Sequence, residues 1–401
     1  MEDQTPFDPG SAGGIRMTRP ELKGWCPSAY VPMPSGDGLL VRIKPAYGQL
    51  TATALLRLAE LSDEFGNGLL DLTSRANLQI RGVSERHYPA LLAALKDNAL
   101  IQPSQKADLL NVMLAPFTNE DSLGWRCASA VYAAAEKLPG LPAKFGFCID
   151  CGDRRFLTKA SGDLWIEQAA DGGLLLRCAG QPDGLRTDAT RLIDDLLKLT
   201  DWYQYQLACR PQTPSLRMRG VLAHTPLPHW AKGTLPQADE TQLVVGKTKH
   251  HFILSAAYGQ LCSQDLRQLA AVNKDVQFTA DRLMVVSALP DNTDQLICQP
   301  WDRRFYIQAC PGAPHCVSAT VSTRQLADSL SLAGVGAARQ TVHISGCPKG
   351  CAAPGPRDIC VVGMDSRFAV IDRGCAWDTP SRTGLSHNDV LKHVKDKVTV
   401  K

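Results

Sequence analysis

The chain has 401 residues and a formal net charge of +3, with 44% hydrophobic and 21% charged residues. That is the composition of an ordinary globular protein of two or three domains with well-buried cores. The charge is too small to imply a nucleic-acid partner, and no apolar run approaches the roughly 20 residues needed to span a bilayer, so no membrane partner is expected.

The opening residues, MEDQTPFDPGSAGG, are polar and acidic, unlike a secretory leader. Residues 1–15 are read as a disordered tail and the protein as cytoplasmic. A strand is then expected in GLLVRIKP, followed by AYGQL at Ala46–Leu50. Leu55, Leu58, Ala59, Ser62 and Phe65 fall at helical spacing, with Thr51 or Thr53 as cap and Gly66-Asn67-Gly68 as stop. One strand, LLDLTSRANLQIRG, follows. Helices are expected at Ala128–Leu138 and Thr187–Ala208, and strands near Ala143–Ile149 and Gly173–Cys178. Arg210–Pro236, with Pro211, Pro214, Pro226, Pro228 and Pro236, reads as an extended linker.

AYGQL then recurs at Ala257–Leu261. The strand HFILSAA precedes this copy, and a helix capped by Ser263 and carrying Leu266, Leu269 and Ala270 follows, then the strand VQFTADRLMVVSAL. The same element order in the same register argues for a duplication, whose halves can pair strands about a pseudo-twofold axis to build one sheet. Trp301–Lys401 forms a last segment, with a helix at Thr323–Ala333 and the strand TVHIS.

Fourteen cysteines are many for a reducing compartment. Cys26, Cys127, Cys178, Cys209, Cys262 and Cys298 stand alone and read as core residues. Cys310-Pro-Gly-Ala-Pro-His-Cys316 and Cys347-Pro-Lys-Gly-Cys351 are different, because Pro and Gly let the backbone curl and present thiolates to one centre. Four thiolates with nearby amide donors suit a 4Fe-4S cluster. Structural zinc prefers two to four residues between paired cysteines, which the five-residue gap exceeds. Cys148-Ile-Asp-Cys151 ends an apparent strand without a partner pair and reads as structural. Gly334-Val-Gly336 ends a helix instead of following a strand, so no nicotinamide fold is expected and electrons must come from a partner. No ligand role is assigned to His250, His251, His315 or His343.

Within Thr73–Gly82, alternation places Arg75, Asn77, Gln79 and Arg81 on one face. A row of donors without an acid suits a polyanion, since guanidinium forks grip carboxylates at two points. Lys144, Arg282 and Lys349 are candidates to join these residues in holding substrate carboxylates.

The duplicated unit, TSRANLQIRG, LPAKF and the C-x5-C and C-x3-C pairs occur in the order found in the sirohaem-type nitrite and sulfite reductase superfamily, which the chain resembles from about Arg16 onward. The resemblance implies an α+β fold: ferredoxin-like half-domains at 16–102 and 241–300 with pseudo-twofold symmetry, an α/β domain without a cluster at 103–240, and a cluster-binding α/β domain at 301–401. Within the superfamily, KGWCPSAYVPMPSGDGLLVRIKP, GLLDLTSRANLQIRGV and HISGCPKGCAAPGP resemble the precorrin-3B synthases. That resemblance implies a monooxygenase acting on the tetrapyrrole precorrin-3A with O2. It would use a 4Fe-4S cluster on Cys310, Cys316, Cys347 and Cys351, a non-haem iron, and electrons from NAD(P)H through a reductase or ferredoxin.

Sulfite reductases carry a second lysine two residues beyond the position of Lys144, and an arginine just before the Asn-Val of a strand that follows TSRANLQIRG; here Gly146 and Leu110 stand there. A sirohaem-dependent reductase and an iron–sulfur electron carrier remain the alternatives.

Overall fold

In a computed structural model, residues 26–210, 216–353 and 355–399 are described. The expected tail at 1–15 lies outside them. The chain divides into two compact units at Pro300/Trp301.

The first unit begins with β1 (Met33–Ser35), β2 (Gly38–Ile43), β3 (Gln49–Thr51), α1 (Ala52–Phe65), β4 (Leu69–Leu72), β5 (Leu78–Val83) and α2 (Tyr88–Asp97). Helix α1 forms as its sequence dictates. Thr51 Oγ1 accepts the Ala54 N–H at 3.2 Å, Leu55, Leu58, Ala59, Leu61 and Ser62 are buried, and Gly66 ends the helix.

Next come α3 (Gln105–Leu109), β6 (Asn111–Leu114), α4 (Leu123–Ala133), β7 (Gly146–Asp150), β8 (Leu164–Gln168), β9 (Leu174–Cys178), β10 (Leu185–Thr187), α5 (Leu192–Ala208) and α6 (Met218–Leu222). The five strands form a sheet in sequence order, β6, β7 and β8 parallel and the rest antiparallel. Residues 216–236 are not the plain linker expected, since α6 lies among them and Met218 and Val221 are buried; residues 211–215 lie outside the described ones.

The second copy follows: β11 (Gly246–Lys247), β12 (Phe252–Ala256), β13 (Gln260–Cys262), α7 (Ser263–Val272), β14 (Asp275–Thr279), β15 (Leu283–Val286) and β16 (Leu296–Ile297). Its helix is capped by Cys262 and not by Ser263; the Asp265 carboxylate accepts the Cys262 N–H at 2.7 Å.

Each run expected to be one strand is a hairpin, β4–β5 and β14–β15. The two copies also exchange strands. β3 of the first pairs with β14 of the second, and β13 of the second pairs with β4 of the first. Two sheets result, rather than one. An isolated bridge, Arg75 to Ala280, joins the two hairpin turns, and α1 packs against α7 over a shared core. The exchange is sharp because Tyr47 and Tyr258 take the same left-handed conformation, φ 57° and 56°, and turn the chain out of each half.

The second unit contains β17 (Ile307–Ala309), α8 (Thr323–Leu332), β18 (Val342–Ser345), β19 (Arg357–Met364), β20 (Arg367–Gly374), β21 (Arg382–Leu385) and α9 (His387–Thr399). Its sheet runs β17 to β21 in order, three strands parallel and then antiparallel. Element order and pairing repeat those of β6–α5.

Candidate functional site

In the second unit, the connections β17–α8 and β18–β19 leave the same end of the parallel strands and carry the four cysteines. They are stitched together. Thr320 N–H donates to the Gly346 carbonyl at 3.1 Å, Cys310 N–H to the Ile344 carbonyl at 3.2 Å, and Lys349 Nζ to Ser318 Oγ at 2.7 Å. Gly346 lies so close that a Cβ there would stand 2.5 Å from Ala319 Cβ. Its N–H donates to Cys310 Sγ at 3.1 Å, the kind of amide–sulfur contact a cluster ligand receives.

The four sulfurs lie within electrostatic reach of one another. The Cys351 thiol is pushed up to about 11, by burial first and then by the charges Cys310, Cys347 and Cys316 would carry. Cys351 is exposed as a residue, yet enough protein surrounds its thiol for burial to lead. Cys347 is raised by burial and by Cys316 and Cys310, against the Lys349 N–H that its sulfur accepts. Among the described residues no three His, Cys, Asp or Glu side chains converge tightly enough to hold one metal ion. Four thiols carried on two facing loops, with an amide donor on one sulfur, are the donor chemistry that an iron–sulfur cluster takes.

In the first unit the polar face of β2, β4 and β5 carries the second set of candidates, and the expected ligand row divides. Arg81 is 2% exposed and fully engaged: Nη1 bonds Asp71 at 2.8 Å, Nε and Nη2 bond Asp37 at 3.0 and 2.9 Å, and Nη2 also bonds Ser35. Burial opposes its charge, but Asp71 and Asp37 outweigh burial and raise its pKa. It is a structural ion pair and not a substrate contact; the row of donors had no acid of its own because neighbouring segments supply both. Gln79 Oε1 accepts Arg42 Nε and Nη2 at 2.9 and 2.6 Å, and Asn77 is 5% exposed.

Arg75 lies outside the strand, in the turn, with its guanidinium on the Lys144 carbonyl at 3.0 Å and Ser161 Oγ at 2.9 Å. Lys144 therefore reaches Arg75 through its backbone. Arg282, φ 63°, packs its Cδ where a Gly259 Cβ would stand, two residues from the Ala280 that bridges Arg75. Lys349 belongs to the second unit and ties one cysteine loop to the other.

Sequence reasoning overlooked Arg42, Lys44 and Arg217. Arg42 and Lys44 alternate on β2 and beyond it, a signal that was readable in LVRIK; Arg217 had none. Lys44 is 8% exposed, and Nζ donates to the carbonyls of Asp108, Leu109 and Leu110 at 2.6, 3.2 and 3.4 Å, which end helix α3. Burial and then Arg42 hold it down to about 8, against the pull of Asp108. Arg75 is held below its usual value by burial first and then by Arg217. Four cations thus crowd one face, opposed by Asp108 and Asp163, which suits an anionic ligand.

The histidines assemble nothing comparable. His343 is buried with Nδ1 3.5 Å from Cys360 Sγ, and His251 lies against Phe117. Among the described residues no helix is long and apolar enough to cross a membrane.

Residues 31–98 match the family described as the nitrite/sulfite reductase ferredoxin-like half domain. The chain is similar to a solved structure, that of the Mycobacterium tuberculosis NirA protein, with a TM-score of 0.63 and 17% identity over 90% of this chain and 80% of that one. The fold is therefore the duplicated α+β fold of the nitrite and sulfite reductases. Among curated proteins the chain is similar to the precorrin-3B synthase of Sinorhizobium sp, 27% identical over 416 residues, 93% of this chain and 87% of the relative. The comparisons thus return the resemblance drawn from the sequence, to precorrin-3B synthase within the nitrite/sulfite reductase superfamily.

Proposed function

We propose that the chain is an oxidoreductase acting as a precorrin-3B synthase, which converts precorrin-3A to precorrin-3B with O2 in the cytoplasm. The reaction hydroxylates a meso carbon and closes an acetate side chain to a lactone. The observation that carries this reading is the similarity to precorrin-3B synthase, which at 93% of the chain spans the basic half-domain and the cysteine loops alike. Geometry supports it at two positions. Where reductases carry cations for a small dianion, Leu110 is 9% exposed and Gly146 opens β7. Each lost charge-assisted contact is worth about 1.5–3 kcal/mol, a loss that a polycarboxylate held at many points tolerates better than sulfite does.

Cys310, Cys316, Cys347 and Cys351 would hold a 4Fe-4S cluster. When bound, the cluster supplies single electrons, drawn from NAD(P)H through a partner reductase or ferredoxin. Arg75 and Arg42, pinned by the Lys144 carbonyl and by Gln79, present guanidinium edges to substrate carboxylates and fix the macrocycle. Lys44 holds the end of α3 and keeps positive potential beneath that face.

Aerobic incubation of the reduced protein with precorrin-3A tests the reading. The expected product is heavier by one oxygen atom. Unchanged substrate, or protein purified with tightly bound sirohaem and its Soret band, would favour a reductase instead.

A further inference from the structure

Three segments of the first unit, distant in sequence, meet at one hydroxyl. Arg75 Nη2 donates to Ser161 Oγ at 2.9 Å, and Arg217 Nη1 donates to the same oxygen at 3.4 Å. The far edges of both guanidiniums are pinned. Arg75 Nη1 sits on the Lys144 carbonyl at 3.0 Å, Arg217 Nη2 on the Gly162 carbonyl at 3.0 Å, and Arg217 Nε on Asp163 at 2.8 and 2.9 Å. Asp163 is 0% exposed and also accepts the N–H groups of Gly146 and Met218, so its position is fixed by the backbone.

Two like charges are held against one small neutral group, and a third, Arg42, is close enough to depress Arg75 further. A hydroxyl has two lone pairs and one proton. Ser161 spends both lone pairs on the arginines, so its proton is left to be donated. Ser161 is exposed and the Arg217 side chain is 26% exposed, so a ligand can reach the point from solvent.

We propose that Arg75, Arg217 and Ser161 form a clamp for a single carboxylate of a polycarboxylate ligand. The clamp rests on the tetrapyrrole reading for the identity of that ligand, and it assigns Arg217 and Ser161 to binding. One N–H from each guanidinium converges on this hydroxyl, and two such charged donors match the two in-plane oxygens of a carboxylate. Asp163, beside Arg217, repels a phosphate dianion more than a monoanion, which sets the choice of carboxylate.

The test uses the full-length purified protein and uroporphyrin I, an octacarboxylate, with its fluorescence as the readout of Kd. Arg217→Gln is expected to weaken binding about tenfold, and Arg217→Lys to recover only part of that, because a lysine lacks the fork. Ser161→Asp places a carboxylate between the guanidiniums; it is expected to weaken binding about tenfold while raising the melting midpoint. This variant keeps the Arg217–Asp163 pair, so it decides the matter even if Arg217→Gln fails to fold. Inorganic phosphate at about 1 mM is expected to leave the Kd within about twofold.

Unchanged binding in a folded Arg217→Gln or Ser161→Asp variant overturns the clamp, and so does full displacement of the porphyrin by phosphate. Iron and sulfide assays separate the two readings. A wild type without iron whose porphyrin binding still depends on Arg217 loses the enzyme reading and keeps the clamp. A wild type with iron and no dependence on Arg217 does the reverse.

Discussion

The two α/β modules, β6–α5 and β17–α9, share one element order and one strand pairing, and they differ in what fills two connections. After the first strand, the second module places Cys310 and Cys316; the first module places Ala115–Ser122, whose Ser122 caps α4 by accepting the Trp125 N–H at 3.2 Å. After the next strand, the second module places Cys347 and Cys351. The first ends that strand on Asp150, whose Oδ2 accepts the N–H groups of Phe156 and Leu157 at 2.7 Å each, and then places Ser161 and Asp163 beside the arginines. Strand pairing alone therefore makes neither site. The fold offers two loops at the end of a parallel sheet, and side chains decide whether thiols or arginine partners stand there.

The largest effect expected from this difference is on iron. Replacing any one of Cys310, Cys316, Cys347 or Cys351 by serine should abolish iron binding, whereas Cys148→Ser with Cys151→Ser should leave iron content intact. Iron retained in the first set, or lost in the second, would break the contrast between the modules.

Next in size is Arg81. Arg81→Leu leaves Asp71 and Asp37 without their cation, and about 3–5 kcal/mol should be lost in chemical denaturation. Arg75→Leu, at a partly exposed turn, should cost about 1 kcal/mol or less. Equal costs would mean that the two arginines do the same work.

A pH dependence then sharpens the picture of the first module. Asp150 is 0% exposed, and burial pushes its carboxyl up to about 6, with Glu167 adding to the shift against the two N–H groups that it accepts. The folded state therefore binds this proton more tightly than the unfolded chain does. Stability should fall as pH rises from about 4 to about 6, by about 2–3 kcal/mol for this group, and then level. Asp150→Asn should remove that slope from melting midpoints measured across the window; an identical slope in the variant would contradict the assignment.

The smallest effect tests the exchange between halves. Gly48 has φ 66° with Phe278 O 2.8 Å from an added Cβ, and Gly259 has φ 73° with Leu72 O at 3.2 Å. Gly48→Ala and Gly259→Ala should each cost about 1–2 kcal/mol in the same denaturation assay. If one were neutral, the two turns would not be equivalent.

Local signals in the sequence were readable wherever neighbours in the chain are neighbours in space. Thr51 caps α1, α8 begins at Thr323, and the Pro/Gly-rich cysteine loops face each other. The hairpins were hidden because their turns, around Ala76 and around Asp281-Arg282, take φ of 59°, 60° and 63° without a glycine to announce it. The alternation through Thr73–Gly82 was therefore carried across a turn, and Arg75 was set on a strand it does not occupy. Asp71 stands beside Arg81 only because the run folds back as a hairpin, while Asp37, and the serine shared by Arg75 and Arg217, lie far along the chain. Ser161 is 86 residues from Arg75, and no periodicity reaches that distance. The second copy also shows how little its backbone reveals. Positions equivalent to Arg42, Lys44 and Gln79 hold Ile253, Ser255 and Val285 on the same scaffold.

The most direct measurement is an anaerobic assay of iron and acid-labile sulfide, with electron paramagnetic resonance of the reduced protein. The account expects about four irons and four sulfides per chain, with the spectrum of a reduced cubane cluster. A chain purified anaerobically with a single zinc ion, or with neither iron nor sulfide after reconstitution, would contradict it.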